Sequence, residues 1–187
     1  MAISRRSFIN NAVLSAAAVA VTGVSKFGVA ADGKDPIKVA TILDLSGGLD
    51  LYGKPMLDAI NLAAADINAA GGLLGRPVQM INYDAQSSMQ LYAQYAQQAA
   101  LKDRTSVVIG GITSASREVI RPVLDRFKTL YFYPTQYEGG VCDRNYFSSG
   151  STPAQTVGKL VPYAIKKWGK KIYILAADYN YGQIVSA

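Results

Sequence analysis

The chain has 187 residues, of which 50% are hydrophobic and 17% are charged, a composition typical of a globular protein with a sizeable core. Residues 1–30 hold three of the 19 basic residues and none of the 13 acidic ones, so the rest of the chain carries a net charge of only +3. Its basic residues are scattered along the sequence, which argues against a nucleic-acid groove. With no histidine and one cysteine, the chain lacks the commonest general base, the commonest metal ligand and an internal disulfide.

The first segment, residues 1–30, has the pattern of an export signal peptide. A basic start at Arg5-Arg6 precedes an uncharged run from Ala12 to Val24, and small residues reach a cleavage site near Ala30. The apolar run is shorter than the about 20 residues that span a bilayer. The adjacent arginines resemble a twin-arginine signal, with a general secretory signal as the alternative. Either route predicts an exported protein located in the periplasm.

Strands and helices alternate along the rest of the sequence. Short apolar runs predict buried strands, and stretches with helical spacing of apolar residues predict the helices between them. The predicted strands are 37–43, 78–83, 107–109, 130–133 and 172–176, and the predicted helices begin near Pro55, Ser87, Ser116 and Pro153, with a long loop at 134–152. This alternation predicts an α/β fold with a doubly wound parallel sheet.

The last predicted strand suggests a two-lobed organisation. We expect residues 31–168 to form the first lobe, and residues 169–187 to begin a second lobe that is truncated. A compact complete domain is the alternative, since the length also fits one domain. The single cysteine, Cys142, is interpreted as a buried small hydrophobe, or as the partner of a cysteine in sequence not present here.

Candidate binding residues follow the strands, because ligands of open α/β sheets lie beyond the carboxyl ends of the strands. After the third strand, Gly110-Gly111 permit a tight turn, and Ser114 or Ser116 can cap the next helix and leave its first N–H groups for a ligand oxygen. A capping serine without a ligand role is the alternative interpretation.

Two tyrosine-rich segments follow later strands. Residues 133–138 (Tyr-Pro-Thr-Gln-Tyr-Glu) and 178–181 (Asp-Tyr-Asn-Tyr) place phenol rings, a hydroxyl and amides beside a buried strand. Such rings suit a small, neutral, polar guest, although surface tyrosines are the alternative. Glu138 and Asp178 are interpreted as structural hydrogen-bond acceptors. No nucleophile elbow and no phosphate-binding glycine loop are present, so we expect no enzyme activity and no cofactor.

These same segments resemble the type I periplasmic solute-binding proteins, the superfamily of branched-chain amino acid and amide receptors. Leu45-Ser46-Gly47, the stretch from Ala70 to Pro77 and Ile109-Gly110-Gly111 are similar to the superfamily. Residues 132–139 and 177–181 look like its urea and short-chain amide branch. The resemblance covers essentially all of residues 37–187, and members usually run to about twice the mature length of this chain.

The resemblance implies a hinged, two-lobed receptor that delivers its solute to the permease subunits of an ABC importer. In the amide branch it points to Ser114, Tyr133, Thr135 and Tyr179 as ligand-binding residues, and we add Ser116 and Tyr181 from the neighbouring positions. Relatives often carry a second cysteine near position 148, which here is Ser148, so no bridge to Cys142 is available.

Three alternatives to a urea or amide receptor stay open. The chain could bind branched-chain amino acids, or it could be an amide-sensing regulator, which the leader argues against. An amidase is motivated only by Ser114, and no base is visible in the sequence to activate it.

Overall fold

The computed structural model describes residues 35–187, so the predicted leader and its cleavage site lie outside the described residues. In chain order the elements are β1 (Ile37–Leu43), α1 (Asp50–Ala69), β2 (Val78–Asp84), α2 (Met89–Gln97), β3 (Val107–Gly110), α3 (Ser114–Arg126), β4 (Leu130–Tyr133), β5 (Tyr146–Ser148), α4 (Pro153–Trp168) and α5 (Asn180–Ser186). A π-helical turn, Gln98–Lys102, continues α2.

The five strands form one parallel sheet in the order β2-β1-β3-β4-β5, which confirms the predicted fold class. The strand β1 lies inside the sheet, between β2 and β3, and its residues Ala40, Ile42 and Leu43 are completely buried. This explains why its sequence is apolar without alternation, since both faces of the strand are covered by helices.

The core lies in two layers, one on each face of the sheet. On one face the helices α2 and α3 bury Tyr92, Ala96, Ile120 and Leu124 against the strands. On the other face α1 packs Ala64 against Val39 and Val78. Helices on both faces are the defining feature of a doubly wound sheet.

Two predicted elements differ from the structure. The segment 172–176 is not a strand, because no strand among residues 35–187 lies alongside it to share a hydrogen-bonded ladder. Conversely, the predicted loop 134–152 contains β5, which pairs Tyr146 with Tyr131 at the edge of the sheet. That a second lobe begins at residue 169 stays a prediction.

Smaller corrections concern one helix start and the cysteine. The helix α1 begins at Asp50, so Pro55 lies in its second turn and not in its first. An ion pair between Asp50 and Lys54 spans this first turn, at 2.7 Å. Cys142 is exposed, so the interpretation as a buried hydrophobe is wrong. Among residues 35–187, no helix is long and apolar enough to cross a membrane.

Candidate functional site

The carboxyl ends of β1, β3 and β4 border an open crevice of about 510 Å³. It lies where the strand order reverses between β1 and β3, the usual ligand position in an open α/β sheet. The loop after β3 contributes Ile112 and Thr113, and the segment after β4 contributes Pro134, Thr135 and Gln136.

A smaller hollow of about 40 Å³ shares part of this lining. It is bounded by uncharged residues only: Ile112, Ser114, Tyr133, Thr135, Gln136, Tyr179 and Tyr181. The structure therefore brings together five of the six predicted site residues, all except Ser116. That these side chains hold a ligand stays a prediction.

The turn after β3 depends on two glycines. A methyl group at Gly110 would lie 2.2 Å from the backbone oxygen of Ile42, so no larger residue fits beside β1. Gly111 has a φ of +77°, which a residue with a side chain rarely adopts. These glycines let the chain leave the sheet edge and enter α3 directly.

The cap of α3 differs in detail from the prediction. The N-cap is Thr113, whose hydroxyl accepts from the backbone N–H of Ser116. In return, the Ser116 hydroxyl accepts from the N–H groups of Ile112 and Thr113 and donates to the Thr113 carbonyl oxygen. Ser116 is thus fully used in the cap, whereas the Ser114 side chain is left for the hollow.

Three hydroxyl groups of the hollow are held by hydrogen bonds within the protein. Tyr133 and Thr135 both donate to the carbonyl oxygen of Ile112, at 3.1 and 2.9 Å. Ser114 donates to the Glu138 carboxylate at 2.8 Å. Burial raises the pKa of Tyr133, against the opposing effects of the Thr135 hydroxyl and the Arg117 charge, so its phenol keeps its proton at neutral pH.

An ion pair between Arg117 and Glu138 lies behind the hollow, and sequence reasoning did not find it. The guanidinium donates to both carboxylate oxygens, at 2.9 and 2.6 Å, and the two side chains are 2% and 0% exposed. The guanidinium carbon of Arg117 lies over the rings of Tyr133 and Tyr137, 5.2 Å from each ring centre. No local sequence pattern indicated this pair, because Arg117 and Glu138 are 21 positions apart and only the fold brings them together.

The protonation state of Glu138 follows from its partners. Burial alone would raise the pKa of its carboxyl, but the hydrogen bonds from Arg117 and Ser114 outweigh it, and the pKa lies below its usual value. Glu138 is therefore an ionised, structural acceptor, in agreement with the interpretation made from the sequence.

The segment 178–181 reaches the hollow from the far end of the chain. Tyr179 and Tyr181 lie in the lining with their rings stacked, 6.2 Å between centres. Between them, Asn180 donates to Glu138 at 3.3 Å, which ties this segment to the loop after β4. Asp178 is exposed and accepts from the Gln183 side chain, as expected of a structural acceptor.

Comparison with known sequences gives a family. The profile of the family described as periplasmic binding protein matches residues 36–187. The Leu/Ile/Val-binding protein of Escherichia coli (strain K12) is 28% identical over 112 residues, which are 60% of this chain and 30% of that protein.

Comparison with solved structures gives the fold. One neighbour is a solute binding protein of an ABC transporter from Rhodopseudomonas palustris BisB5 in complex with 3,4-dihydroxy benzoic acid (TM-score 0.70, 22% identity, 82% of this chain and 42% of that one). Another is the substrate binding protein of a branched-chain amino acid transporter from Streptococcus pneumoniae in complex with isoleucine (TM-score 0.66, 21% identity, 72% of this chain and 39% of that one). The chain spans less than half the length of these proteins.

Proposed function

Since the chain belongs to the periplasmic binding protein family, we propose that it is part of an extracytoplasmic solute-binding receptor that serves the permease subunits of an ABC importer, and that its solute is urea or a short-chain amide. The proposed location is the periplasm. Fold alone does not select the solute, because the two structural neighbours hold an aromatic acid and isoleucine on similar folds.

The observation that carries the choice of solute is the uncharged lining of the hollow. Hydroxyls, phenols and one amide side chain surround it, and the nearest buried charges, Arg117 and Glu138, neutralise each other. A charged guest would leave water without an opposite charge to receive it, whereas a neutral amide needs only hydrogen bonds.

The first turn of α3 supplies donors to complement the hydroxyls. Its first N–H groups have no partner within the helix, and Ser114 stands at this position in the lining. A carbonyl oxygen of the solute would be stabilised there by the N–H groups and by the positive end of the helix dipole.

The ionisation state of Glu138 supports binding of the solute without its hydrolysis. It is the carboxylate in contact with the Ser114 hydroxyl, and a hydrolase would need it as a general base. Its lowered pKa and its bidentate bond to Arg117 make it a poor proton acceptor at neutral pH. We therefore propose a receptor and not an amidase.

Branched-chain amino acids are the second candidate, because the curated relative in Escherichia coli is named a Leu/Ile/Val-binding protein. An amino acid would bring both an ammonium and a carboxylate into the crevice. The larger, partly apolar part of the crevice, with Leu49, Tyr52 and Met56, could contact an aliphatic side chain.

Isothermal titration calorimetry of the purified chain with urea, acetamide and leucine separates these candidates. We expect heat of binding with urea or acetamide and none with leucine, and no release of ammonia from acetamide. Binding of leucine alone would move the proposal to the amino acids. Ammonia release that Ser114→Ala abolishes would establish an amidase, and the receptor proposal would be wrong.

A further inference from the structure

Hydrogen-bond partners within the protein fix the direction of three hydroxyl protons at the hollow. Tyr133 and Thr135 lie against the Ile112 carbonyl oxygen, which can only accept. Ser114 lies against the Glu138 carboxylate, which is also acceptor-only in its ionised form. Each hydroxyl therefore donates its single proton to the protein, and only its oxygen lone pairs are left for a guest.

This polarity has a direct consequence for the guest. A carbonyl or carboxylate oxygen in contact with these hydroxyls would place lone pairs against lone pairs. Turning the Ser114 hydroxyl toward such a guest would remove a hydrogen bond from a carboxylate with a fully buried side chain. A guest N–H group needs no such rearrangement, because it donates to the hydroxyl oxygens as they stand.

We propose that the wall formed by Ser114, Tyr133 and Thr135 is a donor-selective subsite that takes an N–H group of the solute, and that Glu138 is the positioning residue that sets the direction of the Ser114 hydroxyl. The inference rests on the proposed function, since it requires that a small solute enters the crevice. The hollow of about 40 Å³ holds roughly three water-sized positions, enough for one amide group.

Arg117 makes this arrangement rigid. Its guanidinium holds both oxygens of Glu138, so the carboxylate cannot rotate away from Ser114 without breaking a bidentate bond. Asn180 adds a third donor to the same carboxylate. The direction of the Ser114 hydroxyl is thereby determined by residues that are not part of the lining of the hollow.

Matched probes test the selectivity by isothermal titration calorimetry on the full chain. Acetamide and acetate have the same shape but differ in the N–H group and in charge, while N-methylacetamide and methyl acetate differ in the N–H group and are both neutral. We expect each amide to bind at least tenfold more tightly than its oxygen counterpart. Equal or reversed affinities within the neutral pair would overturn the subsite while leaving the receptor proposal intact. No binding by any probe, urea and leucine included, would overturn both.

The variant Thr135→Val removes one acceptor and keeps the shape of the side chain. We expect it to weaken acetamide binding at least fivefold and to leave methyl acetate binding unchanged, because only the amide uses the lost oxygen. The control Thr156→Val removes a comparable bond, from a threonine hydroxyl to the Thr152 carbonyl oxygen, on the exposed face of α4. Equal losses for both probes in Thr135→Val would indicate a structural role and overturn the assignment.

The variant Glu138→Gln tests the positioning role. A glutamine can donate to Ser114, so the hydroxyl is free to turn toward the solute, and the preference for N-methylacetamide over methyl acetate, which are both neutral, should fall at least fivefold. A loss of affinity that is equal for both probes would contradict a positioning role. If this variant does not fold, the results with Thr135→Val and the matched probes still decide the donor-selective subsite.

Discussion

Replacing Arg117 with methionine leaves the Glu138 carboxylate without its partner in the interior. Both side chains are almost completely buried, and the pair has a bidentate geometry with N–O distances of 2.9 and 2.6 Å. Removing one partner of a buried ion pair costs about 3–5 kcal/mol, because the remaining charge keeps its desolvation penalty and loses its compensation. We expect Arg117→Met to lower the free energy of unfolding by about this amount.

The neighbouring Glu118 provides a matched control. It contacts the same guanidinium at 2.9 Å, but its side chain is 36% exposed, so water screens the interaction. An ion pair of this kind contributes about 0–1 kcal/mol. We therefore expect Glu118→Gln, which weakens partly exposed ion pairs with Arg117 and Arg121, to change stability far less than Arg117→Met, which removes the buried pair with Glu138.

Thermal unfolding followed by circular dichroism measures the stability difference between the two variants. Heat is preferred to chemical denaturants because urea is a candidate ligand and guanidinium carries similar N–H groups. For a chain of this size about 1 kcal/mol corresponds to roughly 2–4 °C in Tm, so Arg117→Met should lower Tm by roughly 6–20 °C. A loss below about 2 °C, or an equal loss in Glu118→Gln, would refute the reasoning that burial makes this pair important.

Two further predictions concern pH and backbone packing. The pKa of Glu138 is lowered in the folded protein, so its ionised form stabilises the fold at any pH above the usual carboxyl value of 4.5. This stabilisation is lost as the pH falls through the pKa of the folded state. The difference in Tm between wild type and Arg117→Met should therefore narrow below pH 4.5. A constant difference down to strongly acid pH would contradict this. Gly110→Ala places a methyl group 2.2 Å from the Ile42 oxygen and should destabilise by about 1–3 kcal/mol or more, whereas Gly48→Ala, with no atom within 4 Å, should leave Tm unchanged in the same measurement.

The sequence predicted the sheet because the burial of a strand is visible in the hydrophobic pattern of a few consecutive residues. The run Ile37–Leu43 is almost continuously apolar, a pattern typical of a strand covered by helices on both sides, so it indicated a parallel sheet before any contact was known. The same holds for Gly110-Gly111, whose position directly after a strand indicated a tight turn at the sheet edge. Of the five predicted site residues that line one hollow, Ser114, Tyr133 and Thr135 meet there because the carboxyl ends of parallel strands lie at one edge of the sheet. Tyr179 and Tyr181 reach the same hollow from a segment that follows no strand of this sheet, so the strand-end rule does not explain their position.

Only the tertiary structure decided which partners those residues have. Arg117 and Glu138 are 21 positions apart, and a charged residue in a helix normally faces water, so no local pattern distinguished this buried pair from surface charges. The strand β5 exists because Tyr146 and its neighbours find an edge of β4 to pair with, while Ile172–Ala176, with a stronger strand sequence, lies beside no strand among residues 35–187. A strand is a pairing between distant segments, and the direction of a hydroxyl proton depends on an acceptor across the fold; neither is a property of the residue alone.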